Sequence, residues 1–194
     1  MKWTNMNYVK WIKNVNFQNL MDIKKFTLHS YFTKCGSFEL IENKNTLWDF
    51  IPQNKEDYKK RNNLIYIITC DEKILKIGGS KTGLEGRILS YKCGRCIPER
   101  ISPRTGKNYP GKMSVTNAYL YNTIYDLLLK DYKIELYSYS IPKIEIEIDI
   151  FGNNKKILPQ TYDDYEQSAL DEYKNVKDEY PPLNYNGHPK MNKV

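Results

Sequence analysis

Leu64-Ile-Tyr-Ile-Ile-Thr-Cys70, Asp71-Glu-Lys73 and Ile74-Leu-Lys-Ile-Gly-Gly-Ser80 read as strand, turn and strand. Both flanks are rich in β-branched and aromatic residues, and the acidic turn between them closes a β-hairpin. Gly78 and Gly79 end the second strand with backbone freedom. Thr82-Gly-Leu-Glu-Gly-Arg-Ile-Leu-Ser-Tyr-Lys92 then carries a helical pattern from Leu84 to Tyr91, and Thr82 with Glu85 has capping-box spacing.

Downstream, Val115 to Leu129 is an amphipathic helix presenting Ala118, Leu120, Tyr121, Ile124, Leu127 and Leu128 to a core. Lys133–Ile141 and Lys143–Ile150 alternate apolar and polar residues, as strands with one buried and one wet face do. Glu145, Glu147 and Asp149 fall on the wet face. Three acids in a row could suggest a metal, but the alternation alone predicts them, so they are assigned to solvated surface. A final helix is expected from about Asp163 to Lys177, with Tyr165, Ala169, Leu170, Tyr173 and Val176 at helical spacing and Glu166 beside that stripe.

Upstream, Val9, Trp11, Ile12, Val15, Phe17 and Leu20 recur at roughly helical spacing among many Lys and Asn. Residues 1–62 are therefore expected to be a helical extension wrapped on a main domain of residues 63–185, followed by a loose tail over 186–194. The polar run Asn54–Asn63 is expected to be a linker or an exposed helix. The fold class is α+β: a small antiparallel β-sheet flanked by helices, with the N-terminal helical extension and a β-hairpin insertion.

The chain has 194 residues, with 30 basic against 23 acidic side chains, so its +7 charge favours a polyanionic partner without identifying one. No stretch approaches the roughly 18 apolar residues of a membrane span, and the N-terminal residues lack the apolar core of a secretory signal. No membrane association and a cytoplasmic location are expected. Cys93 and Cys96 have zinc-ligand spacing, but no second CxxC or paired His motif completes a four-ligand site. The four cysteines are read as reduced, buried or incidental thiols.

Between Tyr66 and Tyr91 the sequence places a phenol on the first hairpin strand, an ammonium on the second, and a guanidinium and phenol on the helix. Arg87 and Tyr91 are four residues apart, on one helix face, so both can address one ligand. Tyr66 and Lys76 can face each other across the hairpin, in a register the sequence leaves open. Lys92, Arg95, Arg100, Arg104, Lys107 and Lys112 line a Gly- and Pro-rich segment opposed only by Glu99, a natural clamp for a sugar-phosphate backbone. Taken singly, each residue has a structural reading: Tyr66 and Lys76 as strand residues, Arg87 as helix surface, Tyr91 as core, Glu166 as an acid favoured by a helix N-terminus.

Leu64-Ile65-Tyr66, Lys76-Ile77-Gly78, Ser80, Arg87, a distal Glu166 and Pro182-Leu-Asn184, in that order, resemble the GIY-YIG nuclease superfamily over about Asn63 to Asn184. The pattern is most similar to the small stand-alone type II restriction endonucleases of that superfamily. In these a lysine replaces the second motif's tyrosine and Ser-Tyr-x-Cys-Gly, here Ser90-Tyr91-Lys92-Cys93-Gly94, follows the arginine. Leu64 stands where the motif name has glycine. The resemblance implies a metal-dependent endonuclease acting on double-stranded DNA as a homodimer. Its catalytic set would be Tyr66, Lys76, Arg87, Tyr91 and Glu166, with Glu166 also the ligand of Mg2+ (or Mn2+).

In that set Tyr66 is the general base, its phenolate stabilised by nearby cations such as Lys76, because a free phenol titrates near pH ~10. Arg87 binds the scissile phosphate through its planar fork, and Tyr91 orients phosphate or water unless it is a core residue. The alternatives are a viral or mobile-element nuclease of loose specificity, and a DNA-binding module without turnover.

Overall fold

Every residue of Leu64–Cys70 is buried, and so is every residue of Lys73–Ser80 after the first, which is why this hairpin reads as continuous apolar sequence rather than as an alternation. The computed structural model describes residues 16–43, 46–93, 100–101, 108–109, 115–157 and 162–184. In chain order, three short 3-10 turns (Phe17–Asn19, Ile23–Lys25 and Thr27–Tyr31) precede strands β1 (Thr33–Asn43) and β2 (Thr46–Pro52) and helix α1 (Lys55–Lys59). Strands β3 (Leu64–Cys70) and β4 (Lys73–Ser80) follow, then helix α2 (Gly83–Lys92). The two-residue strands β5 (Arg100–Ile101) and β6 (Asn108–Tyr109) pair with each other. Helix α3 (Val115–Leu128), strands β7 (Ile134–Ser140), β8 (Ile146–Ile150) and β9 (Asn153–Ile157) and helix α4 (Tyr162–Lys177) complete the order.

Five strands form one antiparallel sheet in the order β2-β1-β7-β3-β4. Asp71 and Glu72, with φ of 45° and 65°, make the two-residue turn between β3 and β4. Positive φ at both positions matches the right-handed twist of the flanking strands. On one face, Tyr66, Ile68, Phe38, Trp48 and Phe50 pack against Leu84, Ile88 and Tyr91 of α2 and Leu120, Ile124 and Leu127 of α3. On the other, Ile65, Ile67 and Ile77 pack against Ala169 and Tyr173 of α4 and against Met21, Ile23, Phe26 and Phe32. Successive residues of β3 thus serve opposite cores, as the strand period of two requires. No helix among the described residues is long and apolar enough to cross a membrane.

Residues 33–52 depart from the expected helical extension. They are strands of the central sheet, with Phe38 directly opposite Phe50 and Leu40 opposite Trp48. Trp48 and Phe50, two residues apart, put both rings on one strand face, a period-2 signal obscured by the apolar Leu47 and Ile51 beside them. Residues 1–15 lie outside the described residues. The Asn54–Asn63 run contains α1, whose Asn54 side chain accepts hydrogen bonds from the Glu56 and Asp57 N–H groups.

The Lys133–Ile141 region supplies β7, inserted between β1 and β3, while β8 pairs with β9 as a separate two-stranded ribbon. Phe151 and Gly152, at φ 53° and 79°, form its turn. The acids at Glu145, Glu147 and Asp149 are exposed, as expected. Thr82 stands at the α2 N-cap, yet its side chain caps nothing, so the expected capping box does not form. Its hydroxyl lies instead 3.3 Å from that of Ser80.

Trp48 is fully buried, lies 5.0 Å from the Tyr121 ring and donates from its indole N–H to the Tyr121 carbonyl at 3.0 Å. Trp48→Ala is expected to cost roughly 3–5 kcal/mol of unfolding free energy. Urea unfolding measures this, and a loss under about 1 kcal/mol would mean that the β1–β2 hairpin is not part of the cooperative core.

Candidate active site

Tyr66 sits in the middle of β3 on the face covered by α2, and Arg87 and Tyr91 descend on it from one side of that helix. The hydroxyls of Tyr66 and Tyr91 share a short hydrogen bond, and their rings meet edge-on at 6.3 Å. The Arg87 guanidinium lies 5.6 Å from the Tyr66 ring centroid and 5.4 Å from that of Tyr91. Two π-faces therefore hold one cation. Arg87 Nη2 donates to the Gly79 carbonyl at 2.7 Å, whereas its Nε is buried with no acceptor among the described residues.

The two glycines at the end of β4 make this possible. A Cβ on Gly78 would run into the Tyr66 hydroxyl and ring, and one on Gly79 would strike the Tyr162 ring and come within 2.8 Å of Glu166 Oε2. Adjacent strand residues face opposite ways, so the pair clears room for Tyr66 on one face of the sheet and for α4 on the other. Glu166 accepts from the Gly79 N–H, while Arg87 uses the carbonyl of the same residue. The peptide backbone of Gly79 is thus the joint between the helix carrying the arginine and the helix carrying the carboxylate.

Lys76 is directly opposite Ile68, and Tyr66 opposite Gly78, so phenol and amine are diagonal neighbours on the strand pair. Lys76 Nζ donates to the Leu183 carbonyl at 3.2 Å. The cation whose charge bears on Tyr66 is Arg87 instead, and Lys76 acts on Glu166. The sequence expectation placed Lys76 beside the Tyr66 phenol; the cation stacked on that ring is Arg87. Next along the edge, the Asn184 side chain accepts from the Ile77 N–H at 3.0 Å and donates to the Ile77 carbonyl at 2.6 Å.

Burial governs the electrostatics. It pushes the Tyr66 phenol above its ordinary range, partly countered by Arg87 and by the bond from Tyr91. Burial likewise sends Tyr91 well up. Lys76 is brought down to about 8 by burial, with Arg87 pushing the same way and Glu166 opposing. Glu166 is raised by burial despite the Lys76 and Arg87 charges. Burial also works against the Arg87 charge, but the phenols and Glu166 outweigh it and keep the guanidinium firmly cationic. Tyr66 and Tyr91 are closed off from solvent, so Arg87 and Glu166, both only partly buried, form the approachable side of the group. A cleft of about 250 Å³ opens there between Arg87, Tyr162 and the Gly79–Thr82 segment.

Lys92, expected to contact DNA, forms an ion pair with Asp49 of β2. Of its expected companions, Arg95, Arg104, Lys107 and Lys112 lie outside the described residues, as does Cys96, and Arg100 falls in β5. Sequence reasoning missed Tyr162 and gave no contact role to Gly79 or Asn184. Tyr162 carried a signal, since it precedes Glu166 by four residues and so shares its helix face. The other two act through backbone contacts that spacing does not reveal.

No family model and no curated protein matches the chain. Among solved structures it is similar to restriction endonuclease HPY188I in complex with product DNA, at 21% identity over 86% of this chain and 87% of that one, with a TM-score of 0.52. It is also similar to the E118A mutant of bacteriophage T4 EndoII, at 21% identity over 84% and 99% of the two chains, with a TM-score of 0.51. The fold is shared. In this shared α+β fold, the residues gathered around Gly79 are the ones described above, and their roles are argued from their own geometry.

Gly78→Ala is expected to cost roughly 1–3 kcal/mol, because its methyl group meets a fully buried ring with nowhere to move. Gly79→Ala presses on Tyr162 and Glu166, which are partly exposed and can yield, so it should cost less. Comparing urea midpoints tests this, and equal losses would count against the assigned packing.

Proposed function

We propose that this protein is a metal-dependent endonuclease of the GIY-YIG type that hydrolyses phosphodiester bonds in double-stranded DNA. The observation that carries the reading is a partly buried guanidinium with an unsatisfied Nε, stacked on two hydrogen-bonded phenols and joined through Gly79 to a carboxylate. Such a centre offers a phosphate donor, a base and a metal ligand within one small volume. Likeness in fold to two endonucleases, one described with product DNA, supports it.

In this reading Tyr66 is the general base: its phenolate, favoured by Arg87 and by the hydrogen bond that Tyr91 donates, takes a proton from the attacking water. Arg87 donates to the non-bridging oxygens of the scissile phosphate through its planar fork. Tyr91 orients the reacting groups through its bond to Tyr66. Lys76 supplies positive charge beside Glu166. Glu166 would hold the divalent cation, and a lone carboxylate suits magnesium or manganese, whose other positions go to water and substrate phosphate. The bound cation would neutralise charge developing on the phosphate.

We further propose site-specific, restriction-like cleavage by a homodimer, one centre per strand of a palindromic duplex. The likeness to a phage endonuclease favours a second reading, a viral or mobile-element nuclease of loose specificity. Sequencing the ends produced from mixed duplex DNA separates the two, since discrete ends mean restriction and scattered ends mean the second.

Plasmid cleavage should require magnesium and fall at least ~100-fold in Tyr66→Phe and in Glu166→Ala. Full activity in both variants would remove the proposal. The pH profile is a separate test. Lys76 carries its charge below pH about 8 and loses it above. Cleavage should therefore rise roughly tenfold per pH unit as Tyr66 deprotonates, then flatten near pH 8 as the loss of ammonium cancels the gain in phenolate. In Lys76→Met, slower overall, the flattening should vanish, and a break that persists there belongs to another group.

A further inference from the structure

The cleft beside Arg87 is more than a phosphate-sized dent. At about 250 Å³ it has the volume of roughly eight liquid waters at ~30 Å³ each, room for a phosphate and part of its sugar. Its lining includes two cations, Arg87 and Lys81, the hydroxyls of Ser80, Thr82 and Ser90, and no carboxylate. Lys81 is exposed and has no carboxylate within ion-pair distance among the described residues, whereas Lys92 and Lys60 are paired with Asp49 and Asp57. The Lys81 ammonium rests instead over the Tyr162 ring, 5.5 Å from its centroid.

That placement is built in. Tyr162 lies against the bare backbone of Gly79, one helical turn before Glu166. Its hydroxyl bonds to Asp163, which leaves the ring face to Lys81. The backbone around Lys81 is fixed as well. Ser80 Oγ donates to the Gly83 carbonyl at 2.9 Å and accepts from the Thr82 N–H at 3.2 Å.

We propose that Lys81, held in place by Tyr162, contacts a phosphodiester next to the scissile one on the strand being cut. This rests on the nuclease reading, with Arg87 on the scissile group. Tyr162 is a positioning residue, acting through Lys81. An aromatic face holds a cation in place without neutralising it, so the full charge stays available to the incoming anion. An acid in the same place would cancel it.

Equilibrium binding of a short fluorescent duplex in metal-free buffer across a salt series tests this without cleavage. Lys81→Ala should weaken binding about five- to tenfold and make the slope of log K against log salt shallower by about 0.9, the loss of one phosphate contact. Tyr162→Ala should reproduce that change, Tyr162→Phe should rescue it, and the double Ala variant should be no worse than Lys81→Ala alone. Circular dichroism confirms that the variants are folded. An unchanged slope in Lys81→Ala overturns the proposal, and so does a Tyr162→Phe variant as weak as Tyr162→Ala. Magnesium cleavage by the unaltered protein is scored separately. Binding with the expected slope shifts but no cleavage removes the nuclease reading and leaves the phosphate contact standing, whereas cleavage with an unchanged Lys81→Ala slope removes only the contact.

Discussion

At the outer edge of β4, the peptide groups of Leu75, Ile77 and Gly79 that point away from β3 have no further strand to pair with among the described residues. A buried backbone group left without a partner costs about as much as a lost hydrogen bond, and an open edge invites the wrong partner. The chain answers position by position. The Leu183 N–H takes the Leu75 carbonyl, the Asn184 amide takes both groups of Ile77, and Arg87 and Glu166 take those of Gly79. Arg87, Glu166 and Asn184 therefore occupy places where a sixth strand would have bonded, and the need to satisfy a sheet edge fixes their positions.

The same edge brings together groups from opposite faces of the sheet. Tyr66 belongs to the core under α2, and the α4 stripe next to Glu166 belongs to the other core. Ordinary strand residues would separate them with side chains on both sides. Gly78 and Gly79 leave only the thickness of a backbone between them, thin enough for the Glu166 charge to be felt at Tyr66, Tyr91 and Lys76. Burial raises the cost of every charge in the group, and the arginine stacked between the phenols is the main counterweight at Tyr66.

Local signals were legible in the sequence. The β3–β4 hairpin, α2, α3 and α4 follow from hydrophobic period and turn chemistry, and the four-residue step from Arg87 to Tyr91 places both on one face. What depends on distant partners was not. The Phe38–Phe50 pairing defines β1 and β2, but only once β7 offers a strand to build on. The Lys76 amine turns toward Leu183 rather than to Tyr66, and 107 residues separate those two partners. Thr82 has capping spacing, yet its hydroxyl is drawn to Ser80, a competition invisible in a four-residue pattern. Tyr162 shares a helix face with Glu166, but its place over Gly79 has no spacing rule, and neither has the bonding of the Asn184 amide to a strand edge.

The amide that closes the β4 edge is separated from the strand it closes by 107 positions. During synthesis the hairpin can fold early, since its own contacts are local, while its seal emerges only after α3, β7, the ribbon and α4 have been made. Through that interval the edge is open to a neighbouring nascent chain, the situation in which aggregates begin. Asn184 therefore ends that exposure only once α4 has been made and docked.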